Sequence, residues 1–153
     1  MQRKIGILMG GASSEREVSL KTGIAVKRAC EELDYNVLVL EFFKNFRKFK
    51  SEMKDCDLIF NALHGGIGEN GEIQSWMEEN KIKFTGSSSI ASSVCMDKAK
   101  TKKILKKENI KTPSWEILKS INDNTILNLP LIVKPNDEGS THGIMKVTKK
   151  SQF

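Results

Sequence analysis

Three glycine-bearing turns hold the residues of this chain whose types and spacing could do chemistry. In the first, Gly10 to Arg16, a short apolar run ends in paired glycines and gives way to Ser13, Ser14 and Glu15. Where a strand turns through glycine into a helix, free backbone N–H groups and the helix dipole face one spot, and an anion or polar ligand fits there. The spacing is not the GxGxxG of dinucleotide binders, so a nucleotide on this turn does not follow. The second turn, His64 to Gly71, carries four glycines in eight residues. Close approach of backbone to a ligand and an ordinary tight loop explain it equally well. In the third, Lys134 closes an apolar run and a small tip follows, Glu138, Gly139, Ser140, Thr141 and His142. A lysine beside a hydroxyl-rich loop can hold nucleotide phosphates through charge and N–H donors, and a solvated charge on a polar hairpin is the plainer alternative.

Strands and helices must place these turns. Ile5 to Met9 is a short apolar run that reads as a buried strand ahead of the first turn. Ser14 with Glu17 three positions on predicts a capping box and a helix start. Val18, Thr22, Ala25, Val26, Ala29, Cys30 and Leu33 recur at helical spacing, which predicts that this face lies on a sheet. Asn36 to Phe43 and Asp57 to Leu63 read as further buried strands, Gly71 to Asn80 as a helix, and Lys83 to Thr85 as a short fourth strand. The order β-α-β-(α)-β-α-β implies an α/β fold with an open, doubly wound, Rossmann-like parallel sheet. Ligands of such sheets sit at the carboxyl ends of the strands, where the first two turns fall.

From Ser87 the composition changes. A helix of small residues comes first, then a basic helix from Asp97 to Glu108, then Asn109 and Pro113. Three segments result: an N-terminal α/β substrate-binding domain over 1–86, a helical linker over 87–112, and the start of a further domain over 113–153. In the last, Trp115 to Leu118 is a candidate strand, and Leu131 to Lys134 with Gly143 to Val147 predicts a hairpin with a long tip.

The 153 residues are 39% hydrophobic, which suits a globular protein rather than a disordered one. The formal net charge is +6, with the cations spread along the chain and densest at Lys44 to Lys50 and Lys98 to Lys107. That spread fits small anionic ligands or solubility and not a nucleic-acid-binding stripe. Three scattered cysteines without a CxxC pair point to a reduced compartment. The five-residue apolar run before Gly10 is too short for a signal peptide or membrane span, so the expectation is a cytoplasmic protein with no membrane partner.

Taken in order, GGASSEREVSL at 10–20, ALHGGIGENGEIQSWME at 62–78, FTGSSSIASSVCMDKAKTK at 84–102 and LPLIVKPNDEGSTHGIMKV at 129–147 resemble the successive signatures of D-alanine:D-alanine ligases. These are ATP-grasp enzymes of bacterial cell-wall synthesis, and the resemblance covers the N-terminal portion of the family pattern. It implies that the α/β domain precedes the start of an ATP-grasp central domain. It implies D-alanine and ATP as substrates, with Mg²⁺, or Mn²⁺, as the metal. The γ-phosphate would pass to one D-alanine carboxylate, and the amine of a second D-alanine would attack the acyl phosphate. By the same resemblance Glu15 helps hold the ammonium of the first D-alanine, and its plain role is a first-turn acid favoured by the helix dipole. His64 lies beside the amino-acid substrates, or is simply a hydrogen-bonded loop histidine. Lys98 and Lys134 contact ATP phosphates, where a point charge suits the task. Ser140 stands near the first substrate, linked to the Glu15 position by hydrogen bonding, and Glu138, Gly139, Ser140 and Thr141 belong to the loop over the triphosphate. The resemblance thus implies Glu15 and Ser140 as the catalytic pair.

The chain departs from the family pattern at Asn70, Thr141 and His142, where aspartate, serine and an aliphatic residue are common. The family's metal ligands lie in its C-terminal part, so they are expected downstream of Phe153 and none in this chain. The expectation is therefore a truncated product, inactive alone, of a protein that is homodimeric at full length. Its hairpin should expose Leu131, Ile132, Ile144 and Val147 and so favour self-association. Rival readings are a D-alanine:D-lactate ligase, a non-catalytic binding or interaction fragment, and a dehydrogenase-like nucleotide binder, which fits the sheet order but not the loop spacing.

Overall fold

The computed structural model describes residues 2–120 and 122–152; Phe153, the reference point for the expected metal ligands, lies outside them. The chain divides into two compact units, Met1–Ser93 and Val94–Phe153.

In the first unit the apolar runs form parallel strands. β1 (Lys4–Gly10) lies between β2 (Asn36–Phe42) and β3 (Leu58–Asn61), with Ile7 opposite Val39 on one side and Phe60 on the other. The segment read as a fourth strand pairs with β3 only through a parallel bridge between Ile59 and Phe84. Alternation along β1 sends Leu8 to one face of the sheet and Ile5, Ile7 and Met9 to the other, and both faces are covered. On the Leu8 side lie Phe46, Met53, Ile73, Met77 and Ile82. They come from a 3₁₀ turn (Phe46–Phe49), α2 (Lys50–Lys54), α3 (Glu72–Glu79) and the residues after α3. A central strand buried on both faces accounts for the near-continuous hydrophobicity that made β1 easy to read.

α1 (Arg16–Glu32) covers the other face, with Leu20, Val26 and Cys30 packed on it. Of the two expectations for this helix, the sheet-facing set holds at Val26 and Cys30 but not throughout, and the capping box fails. The predicted apolar face is turned outward at Val18 and Leu33, 46% and 70% exposed. The buried positions are Ser19 and Gly23. Small residues win that face because the helix approaches β1 closely: a Cβ on Gly23 would fall 2.4 Å from Met9 Sδ. The capping box of Ser14 and Glu17 does not form either, since the N-cap is Glu15 and has no side-chain cap bond. Ser13 ties down the turn instead, its Oγ accepting from the Glu15 N–H at 3.3 Å and donating to the His64 carbonyl at 2.6 Å.

α4 (Ser89–Met96) spans the division between the units. In the second unit α5 (Lys98–Lys107) starts at Asp97, whose side chain caps it by accepting from the Lys100 N–H. β4 (Leu131–Val133) and β5 (Met145–Val147) form the expected hairpin, antiparallel, with Leu131 opposite Val147 and Val133 opposite Met145. Trp115 to Leu118 is not a strand. There the Glu116 carboxylate accepts from the Thr125 hydroxyl and the Ile126 N–H, so local side-chain bonds replace a ladder. The hairpin is also less exposed than expected. Ile132 and Ile144 face solvent, but Val147 is fully buried and Leu131 half-buried. The period of two puts Leu131, Val133 and Val147 on the covered face and Ile132 and Lys146 on the open one.

Candidate functional site

In the first unit the ends of β1 and β3 are fastened through α1. Ser19 is fully buried; its Oγ accepts from the Gly10 N–H at 2.9 Å and donates to the Ala62 carbonyl at 2.8 Å. One hydroxyl thus ties the residue where β1 ends to the start of the His64 loop. Arg16 fastens the other side. Its Nη1 donates to the carbonyls of Gly11 (3.1 Å) and Phe42 (2.6 Å), and its Nη2 pairs with Glu41 Oε1 at 2.6 Å. Gly10 must be glycine here: φ is +96°, and a Cβ would meet the Phe42 carbonyl oxygen at 2.4 Å.

The two glycine turns enclose a cavity of about 350 Å³ lined by Gly10 to Ser13, Leu63 to Gly68, and Phe43, Lys44 and Arg47. His64 lines it, and its Nε2 lies 3.0 Å from Thr22 Oγ1, so α1 orients the ring. Glu15 reaches the same loop: a Cβ on Gly65, at φ +64°, would fall 2.6 Å from Glu15 Oε2. The Glu15 carboxylate is therefore brought to the loop that carries His64. Asn61 Nδ2 and Gln74 Nε2 both donate to the Gly68 carbonyl, at 3.0 and 2.7 Å, and fix the far end of the loop.

In the second unit Lys98 and Lys134 line one cavity of about 990 Å³, with apolar walls from Trp115, Leu127 and Ile132. Lys98 is bound to the loop after β4: its Nζ donates to the carbonyls of Glu138 at 2.5 Å and Asn136 at 3.3 Å. Ser140 and Thr141 form a left-handed tip, φ +48° and +67°, closed by a 2.9 Å bond from the His142 N–H to the Gly139 carbonyl. Lys98, Lys134 and Glu138 thus share one neighbourhood, and Gly139 to Thr141 form the turn beyond it. Bonds from the Lys100 N–H and from Asn136 hold the Asp97 carboxyl below the ordinary aspartate range. Among the described residues no three His, Cys, Asp or Glu side chains gather as a metal site, and no helix is long and apolar enough to cross a membrane.

Sequence reasoning missed Ser19, Arg16, Thr22 and Asn136. Ser19 carried one signal, a polar residue between Val18 and Leu20 that interrupts any apolar face.

Residues 43–87 match the family model described as D-ala D-ala ligase N-terminus. A D-alanine--D-alanine ligase of Thermotoga petrophila is 35% identical over 150 residues, covering 98% of this chain and 49% of the relative. The crystal structure of D-alanine--D-alanine ligase from Bacillus anthracis superposes with a TM-score of 0.86 at 36% identity, over 98% of this chain and 51% of that one. The same enzyme complexed with ATP gives 0.83 at 35% identity, over 99% and 50%. The chain spans about half the length of the curated relatives it matches. In sequence and in fold, this chain matches the N-terminal portion of the D-alanine:D-alanine ligases, a family of ATP-grasp enzymes.

Proposed function

We propose that this chain serves the ATP-dependent joining of two D-alanine molecules through an acyl phosphate, for peptidoglycan precursor synthesis in the cytoplasm. Its part is to hold the first amino acid and the nucleotide phosphates. In this reading residues 1–86 form the substrate domain, 87–112 a helical linker and 113–153 the start of the ATP-grasp domain. The working protein is a homodimer.

Glu15 supplies a carboxylate for the D-alanine ammonium, with His64 beside the substrate. Lys98 and Lys134 supply positive charge for the phosphates, and Glu138 to Thr141 form the loop over them. The reaction brings a carboxylate to a triphosphate, two anions that repel. Cations fixed in advance where charge develops lower that barrier, and a loop that excludes water protects the acyl phosphate from hydrolysis. Mg²⁺ belongs to the chemistry of such a reaction, but the described residues offer no set of ligands for it.

The observation that carries the proposal is the approach of the Glu15 carboxylate to the His64–Gly65 loop at the strand ends, in a chain related to these ligases over 98% of its length. Titration calorimetry with ATP tests the nucleotide half. Lys134→Ala should weaken binding by about tenfold or more, the effect of a lost charge-assisted contact. Equal affinities for the variant and the parent would refute the role of Lys134.

A further inference from the structure

Asn136 is given no ligand to hold in the reading above, yet it organises the wall from which both lysines project. It lies two residues beyond Lys134, and it meets the first turn of α5. Its carbonyl accepts the Lys98 N–H at 2.9 Å, and its Oδ1 accepts the Ala99 N–H at 2.9 Å. Its Nδ2 donates to Asp97 Oδ1 at 3.0 Å, and that same oxygen accepts the Lys100 N–H at 2.9 Å. The N–H groups of residues 98, 99 and 100, which a helix start leaves without intrahelical partners, are thus all satisfied by Asn136 and Asp97.

Two consequences follow. The amides of the first α5 turn are already spent on protein acceptors, so an anion in the cavity must be met by side-chain charge. Lysine is a flexible point charge, and its value to a polyanion depends on how firmly its backbone is placed. The clamp fixes the Lys98 backbone directly and the Lys134 backbone through Pro135, and both lysines line the cavity of about 990 Å³.

We propose that Asn136, held by Asp97, is a positioning residue that sets Lys98 against Lys134 so that both ammonium groups meet one polyphosphate in this cavity. The inference rests on the nucleotide reading given above. It adds that affinity for the phosphates depends on an uncharged residue that need not touch them.

The experiment measures ATP affinity by calorimetry on the whole chain for the parent, Lys134→Ala, Asn136→Ala, Asn136→Asp and the double exchange Asp97→Asn with Asn136→Asp. Amide exchange at Lys98 and Ala99 is read in parallel. Asn136→Asp sets two carboxylates against each other, whereas the double exchange restores an amide–carboxylate pair with the roles reversed. Asn136→Ala and Asn136→Asp should each weaken ATP binding about tenfold and speed exchange at Ala99, and the double exchange should return affinity to within about threefold of the parent. ATP binding that Lys134→Ala weakens but both Asn136 variants leave intact overturns the positioning role while the nucleotide reading stands. Absence of ATP binding in the parent overturns both. Weakened binding in every Asn136 variant without rescue by the double exchange assigns Asn136 to stability alone and also overturns the proposal.

Discussion

Replacing Ser19 with alanine removes one oxygen and leaves two buried backbone groups without their partner, the N–H of Gly10 and the carbonyl of Ala62. Each buried group so orphaned costs about 1–3 kcal/mol. Alanine is the better helix former, which returns about 0.5 kcal/mol. Desolvation wins, and the net loss should be about 1.5–5.5 kcal/mol. With a urea m-value of about 2 kcal/mol/M, the midpoint followed by far-UV circular dichroism should fall by roughly 1–3 M. Ser14→Ala is the matched control, because Ser14 does not cap the helix and its loss should stay within about 0.5 kcal/mol. A loss below about 1 kcal/mol for Ser19→Ala, or a larger loss for Ser14→Ala, would refute the claim that a buried hydroxyl rather than a capping box anchors this turn.

Gly65→Ala forces φ +64° on a residue with a Cβ and drives that Cβ to 2.6 Å from Glu15 Oε2. D-alanine affinity measured by calorimetry should fall by about tenfold or more, and an unchanged affinity would remove Glu15 from the site. The folded-state pKa of Asp97 lies below its unfolded value. Its cap on α5 is therefore fully effective above the unfolded aspartate pKa and fades as pH falls through the depressed folded value. A carboxyl-carbon NMR titration should place the Asp97 midpoint below the ordinary aspartate range, and Asn136→Ala should move it upward. Burial pushes the Cys56 thiol up, with the neighbouring Lys4 opposing, whereas Cys95 is exposed. Iodoacetamide at pH 8, followed by peptide mass spectrometry, should label Cys95 well before Cys56, since less thiolate forms at the buried thiol.

The parts of this molecule that could be read from residues are those governed by local pattern. β1 and β2 carried apolar runs that only buried strands of a parallel sheet explain, and Leu131 to Val133 with Met145 to Val147 kept their hairpin pairing. Asp97 was legible as the start of the basic helix because aspartate ahead of such a run is a common cap. What escaped depends on partners far along the chain. The inward face of α1 is chosen by Gly23 against Met9 and by Ser19 between two strand ends, and no hydrophobic period marks either. Val147 is expected in solvent if the hairpin lacks the rest of its sheet, yet it is fully buried. The roles proposed for Glu15, His64, Lys98 and Lys134 rest on the family resemblance, since each is an ordinary acid, histidine or lysine in isolation. Asn136 sat unremarked inside the loop because its bonds reach back to residues 97–99.

In the function proposed for this chain, the turn holding Glu15 and the loop holding His64 take up D-alanine. A ¹⁵N-labelled sample of the chain titrated with D-alanine and, separately, with L-alanine addresses it most directly. Saturable shifts at the amides of Glu15, His64, Gly65 and Gly66 with the D enantiomer, much weaker with the L, are the predicted result. Equal responses to both enantiomers, or D-alanine shifts confined to other parts of the chain, would contradict it.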